Sequence, residues 1–118
     1  MTRDMELIRA IMLNVEKGDL YGGVDGYDED TVNYHKALLV EKGLIEGKPH
    51  YTSAGQKPSD IPDRVRIKKM TWEGHDFIDA IKSDTKWTKV KGFLADTGKD
   101  LTIETIKVAA KQLFGFAS

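Results

Sequence analysis

The chain has 118 residues, 40% of them hydrophobic and 31% charged, which is enough material for one hydrophobic core and too little for two. It contains no cysteine, which excludes a disulfide framework, a thiolate nucleophile and a cysteine-ligated zinc site. The net charge of −1 argues against a uniformly basic nucleic-acid binder, but the charge is unevenly placed: Met1 to Asp63 carries 7 Lys or Arg against 12 Asp or Glu, whereas Arg64 to Lys91 carries 8 against 4, so one basic face fits within a near-neutral chain.

From Asp4 to Lys17 the residues Met5, Ile8, Ile11, Met12 and Val15 recur at helical spacing, with Arg3, Glu6, Arg9 and Glu16 left for the opposite side. Charges interrupt this apolar pattern, unlike that of a signal peptide or membrane span, and a cytoplasmic protein is expected. Gly18 ends the helix. The following GDLYGGVDGYD has neither helical nor alternating periodicity and reads as a loop, with room for at most one helical turn around Leu20 and Tyr21. Its glycines lack the preceding strand and the lysine-serine pair of a phosphate-binding loop.

Asp28 is placed to cap a second long helix, with Glu29 and Asp30 in the first turn, Val32, His35, Leu38 and Leu39 on one face, and Gly43 at its end. Leu44 and Ile45 follow at once as a short strand, so the chain must turn sharply at Gly43. The stretch from 47 to 62, GKPHYTSAGQKPSDIP, holds all three prolines and reads as a long loop. RVRIKKM, Arg64 to Met70, then alternates as a half-solvated strand with a slip at Lys68-Lys69, and its Val65-Ile67 segment is expected to pair with Leu44-Ile45 in a two-stranded wing.

Thr71 caps the next helix, which tolerates Gly74 in its first turn and buries Phe77, Ile78 and Ile81. After a break near Ser83, with Asp84 or Thr85 as the new cap, Trp87, Val90, Phe93 and Leu94 resume helical spacing until Gly98. Thr102 caps a final helix with Ile103, Ile106, Ala109, Ala110, Leu113 and Phe114 along one side, ended by Gly115. The predicted fold is α+β and mostly helical, with a two-stranded antiparallel wing and additional C-terminal helices. It forms a single domain over 1–118, with helices and wing in 1–82 and a C-terminal helical extension in 83–118.

A helix stopped by a sharp glycine, LIEG, a charged hairpin and then TWEGHDFI follow in the order of a winged-helix domain. On that reading Tyr27 to Gly47 supplies the third helix and first wing strand, the helix normally preceding them being missing or reduced. More closely, MTRDMELIRAIML, YHKALLVEKGLIEG, TWEGHDFIDAIKSDTKWTKVK and IKVAAKQL together resemble the uncharacterised bacterial family called domain of unknown function 2513, often found in phages and prophages. The resemblance implies a winged-helix-like fold and a phage or prophage origin, and it brings no catalytic residues.

The residues themselves point to binding rather than catalysis. His75 and Asp79 stand four apart on one helix, but no further ligands are indicated, so no metal or other cofactor is expected. Glu73, Asp76, Asp79 and Asp84 are helical neighbours rather than carboxyls held across a cleft, and no nucleophile motif is present. Arg64, Arg66, Lys68 and Lys69 in the wing strand, with Lys48 and Lys57 in its loop, are the candidate phosphate contacts, and Asn33 and Lys36 the candidate base readers. The acidic opening of the second helix, Asp28 to Asp30, opposes approach to DNA there, which moves the expected contact to the wing. The first functional expectation is a DNA-associated regulator. The alternative is a protein-interaction module, an adaptor or inhibitor of a host factor, with Trp87, Phe114 and Phe116 as interface aromatics and the terminal helix as a homodimer contact.

Overall fold

The computed structural model describes residues 1–52 and 60–115. Five helices and one antiparallel hairpin follow in the order α1 (Met5–Glu16), α2 (Glu29–Glu41), β1 (Ile45–His50), β2 (Arg64–Met70), α3 (Trp72–Ile81), α4 (Asp84–Asp96) and α5 (Ile103–Phe114). The α+β architecture with C-terminal helices is as expected. Among the described residues no helix lies between α1 and α2, so the helix that would position a DNA-reading helix is absent and α2 is the second helix of the chain. Likewise, no helix among the described residues is long and apolar enough to cross a membrane.

Each helix begins where a short polar side chain can take up an orphan backbone N–H. Asp4, Asp28, Thr71, Ser83 and Thr102 do so for α1 to α5 in turn. The cap of α4 is therefore Ser83, one residue before the predicted Asp84. α1 packs on α2, α3 and β2, while α3 packs on α4 and α5, and α4 on α5. Leu7, Met12, Leu39, Ile78, Ile81 and Ile106 are fully enclosed in the resulting core.

The sharp turn at Gly43 is a helix end in the left-handed conformation, φ 78°. Gly43 N–H donates to Val40 O and Leu44 N–H to Leu39 O, both at 3.0 Å, which satisfies the last carbonyls of α2 and sends the chain directly into β1. β1 runs on to His50, well past the predicted Leu44-Ile45. Pro49 is admitted because it lies on a strand with an open edge. The pairing is Ile45 with Met70, Gly47 with Ile67 and Pro49 with Val65, so Ile45 faces Met70 rather than the Val65-Ile67 segment. The slip expected at Lys68-Lys69 is a β-bulge: Glu46 pairs with Lys69 and Gly47 with Ile67, leaving Lys68 as the extra residue. Without it strict alternation would turn Met70 to water; with it Val65, Ile67 and Met70 are all buried.

The base of the hairpin is locked to α3. Thr71 N–H donates to Leu44 O at 3.2 Å, Thr71 Oγ1 donates to Gly43 O at 2.5 Å, and Gly74 N–H donates to Thr71 Oγ1 at 3.0 Å. Gly74 is required here rather than tolerated: a Cβ would collide with the Leu44 carbonyl oxygen and come within 2.7 Å of Met70 Cγ. Helix propensity alone favours Ala over Gly by about 1 kcal/mol. Gly74→Ala is expected to do the reverse and destabilise the protein by about 1–3 kcal/mol through overpacking, measured as a fall in the chemical denaturation midpoint.

Two carboxylates tie α1 to the rest. Asp4 accepts from Tyr27 Oη at 2.7 Å as well as from its own helix, and Glu6 accepts from Trp87 Nε1 at 2.9 Å and Lys91 Nζ at 2.7 Å. Burial pushes both carboxyls up, but the hydrogen bonds from Tyr27, Leu7 and Glu6 N–H at Asp4, and from Lys91 and Trp87 at Glu6, outweigh it and hold both below their ordinary values of 3.8 and 4.5. A carboxyl depressed in the folded state stabilises fully above its ordinary pKa, and that contribution disappears as pH falls through its folded value. Stability should therefore hold near neutrality and decline as pH drops below about 4.5, with a shallower decline in Glu6→Gln; thermal melts at a series of pH values check this.

Candidate nucleic-acid interface

Alternation along the hairpin turns Val65, Ile67 and Met70 to the core and Arg64, Arg66, Lys68 and Lys69 outward, all four exposed. Lys48, expected in the loop, instead lies in β1 directly opposite Arg66 and is exposed beside it. The bulge adds to this face, since it lets Lys68 and Lys69 both reach water in succession. Glu46 lies 3.4 Å from Lys68 Nζ and 3.9 Å from Lys69 Nζ. Such exposed pairs contribute roughly 0–1 kcal/mol, so a polyanion can displace the carboxylate at little cost. Lys57, the other predicted loop cation, lies outside the described residues.

The two predicted base readers are not on this surface. Asn33 and Lys36 are each only 6% exposed. Asn33 Nδ2 donates to Asp63 O at 3.0 Å, bracing the residue that leads into β2, and Lys36 Nζ donates to Leu20 O at 3.2 Å in the glycine-rich loop. Burial lowers the Lys36 pKa, and the nearby Asp19 and Glu29 carboxylates oppose that shift. α2 buries polar side chains because the loop and β2 pack across the side that helical periodicity assigned to solvent. His35 is fully enclosed: its Nε2 accepts from Asp4 N–H at 2.9 Å, so Nδ1 carries the proton and donates to Thr31 O at 2.8 Å.

The predicted interface aromatics divide in the same way. Trp87 is 3% exposed and packs between α1 and α4, with the Arg9 guanidinium 5.6 Å from its ring centroid and its Nε1 on Glu6. It is a core residue, because Arg9 and Glu6 satisfy its face and its polar edge together. Arg9 also caps the end of α3 through Ile81 O at 2.9 Å and Lys82 O at 2.8 Å. Phe114 is half-buried with Lys86 Nζ 5.2 Å from its ring, and Phe116 lies outside the described residues. Among the described residues the aromatics that face water are Trp72, 87% exposed at the start of α3, Tyr21, 70% exposed in the glycine-rich loop, and Tyr51, 54% exposed after β1. The signal for Tyr21 is its position in a polar, glycine-rich run that gives its ring no helix or strand face to pack on.

Fold and surface together define a small helical domain organised around one two-stranded hairpin with a cationic outer face. The chain belongs to the family described as "Hypothetical protein (DUF2513)", which it matches over residues 2–100, in agreement with the resemblance carried by WEGHDF and DTKW. It is also 34% identical over 119 residues to an uncharacterised protein of Haemophilus influenzae, an alignment covering 96% of this chain and 95% of that one. No solved structure matches it.

Asn33→Ala removes a part-buried hydrogen bond to the Asp63 carbonyl and is expected to lower the unfolding free energy by about 1–2 kcal/mol. Urea denaturation measures this, and an unchanged midpoint would contradict the placement of the side chain.

Proposed function

We propose that the protein is a non-enzymatic, DNA-associated regulatory module that engages nucleic acid through the outer face of the hairpin. The observation that carries this reading is the row formed by Lys48, Arg64, Arg66, Lys68 and Lys69, exposed on one side of a strand pair whose other side is in the core. Such a row tracks a phosphate backbone, and each neutralised phosphate releases counterions. With α2 acidic at its start and its Asn33 and Lys36 turned inward, the reading rests on backbone contact rather than on base readout by a helix. A phage or prophage setting and a cytoplasmic location belong to the same reading. Affinity for duplex DNA should fall steeply with salt, and Arg64→Glu with Arg66→Glu should reduce the slope of log K against log salt by about 2 and weaken binding at least about tenfold. Binding that is absent at micromolar protein, or insensitive to salt and to these charge reversals, would overturn it.

A second reading, a protein-interaction module acting as an adaptor or inhibitor of a host factor, is favoured by Trp72, which no core contact explains at 87% exposure. The homodimer through α5 belongs to this reading. Ile106, Ala109 and Ala110 of α5 are already buried within the chain, which leaves Val108, 60% exposed, and Leu113, 39% exposed, for a second copy. Sedimentation at twice the 13.2 kDa chain mass, abolished by Val108→Glu, would support the dimer, and the monomer mass throughout would exclude it.

A further inference from the structure

Among the described residues, the glycine-rich loop between α1 and α2 is a segment whose purpose neither the core nor the hairpin explains. It has no regular structure, yet it is pinned at several points. Leu20, Val24 and Tyr27 pack against the core, Lys36 Nζ holds the Leu20 carbonyl at 3.2 Å, and Gly22 N–H donates to Asp19 Oδ1 at 2.8 Å. Tyr21 lies inside the Asp19–Gly22 turn, directly after the pinned Leu20, with its side chain outward. An ammonium is withdrawn from water to fix a backbone carbonyl, and the immediate consequence is an aromatic ring held in solvent.

On its hairpin side that ring is bordered by Lys48, Arg66 and Lys68 against one carboxylate, Glu46. Tyr21 borders a groove of about 440 Å³ shared with Glu46, Gly47, Lys48, Arg66, Ile67 and Lys68. A second cleft, of about 450 Å³, joins Tyr21 to Arg64 and the loop glycines Gly22 and Gly23, with Glu29 as the carboxylate on its wall. A single ring thus stands beside the hairpin with Arg64 on one flank and Lys48, Arg66 and Lys68 on the other. Fixed aromatic rings set within a positively charged track bind single strands, because every base presents a π-face to stack upon while the cations follow the phosphates. A paired base inside a duplex has both faces occupied by its neighbours and has nothing to offer such a ring.

We infer that Tyr21 is a stacking platform for one unpaired base, and that the hairpin with its adjoining loop prefers single-stranded over double-stranded nucleic acid. The inference rests on the nucleic-acid reading of the hairpin and adds the strand state of the partner and the residue that selects it. The phosphates on either side of the stacked base lie on Arg64 and on Lys48 and Arg66, and Glu46 yields Lys68 to the backbone.

The test is fluorescence anisotropy with the full chain, using a labelled oligothymidylate of about 16 nucleotides, the upper end of the span covered by small single-strand binders, and a mixed-sequence duplex of the same length. The single strand should bind more tightly than the duplex. Tyr21→Ala should weaken single-strand binding roughly tenfold or more and duplex binding by less than about twofold. Tyr21→Phe should restore the affinity and Tyr21→Leu should not, which separates stacking from simple apolar contact. Arg66→Glu should weaken both ligands. If Arg66→Glu weakens binding while Tyr21→Ala leaves the single-strand affinity unchanged, the stacking role is overturned and the hairpin reading survives. If the wild-type protein binds neither ligand, both are overturned.

Discussion

The structure depends on a close approach between two backbones at the base of the hairpin. The Leu44 carbonyl, where the chain leaves α2, is received by Thr71 N–H and lies against Gly74 in a space that no side chain can share. Thr71 adds a second tie through its hydroxyl to Gly43 O while capping α3. One residue therefore ends β2, starts α3 and grips the end of α2. This fixes the angle at which the hairpin leaves the helical body, and it places Trp72, immediately after the clamp, in solvent.

A second set of constraints runs through α2. Its buried polar residues each hold a backbone group of a segment with no regular structure of its own: His35 receives Asp4 N–H at the start of α1, Asn33 holds Asp63 at the start of β2, and Lys36 holds Leu20 in the glycine-rich loop. Buried polar side chains of this kind are expensive unless satisfied, and here each is satisfied by positioning another element. α2 thus acts as the scaffold from which the loop and the hairpin are set side by side. Its role is to place the cationic surface rather than to form it.

Much of this was legible in the residues. Capping side chains and terminal glycines mark the helices because they answer local backbone requirements that one chain segment states completely, as at Asp28, Thr71 and Thr102. The bulge was legible too, since Met70 can reach the core only if the alternation slips. What was not legible depends on segments distant in sequence. Asn33 and Lys36 read as solvent-facing because helical periodicity knows nothing of the loop and strand that cover them. Trp87 read as a spare aromatic because its partners Arg9 and Glu6 stand some eighty positions earlier, its bond to Glu6 spanning 81 positions. Gly74 read as an ordinary weak helix residue because the carbonyl it accommodates comes from Leu44. The cations of β2 were found by counting charge and Lys48 was named with them, but its place opposite Arg66 follows only from the hairpin register, and Tyr21 joins them only once the loop position is known.

On the proposed reading, the outer face of the hairpin and the adjoining loop form one surface for nucleic acid. Mapping amide chemical-shift changes by NMR during titration with a single-stranded oligonucleotide tests it most directly. The changes should concentrate at Lys48, Arg64, Arg66, Lys68 and residues 20–23, and leave the start of α2 and the outer side of α5 unmoved. Changes centred on Trp72 or on Val108 and Leu113, with the hairpin unaffected, would contradict it.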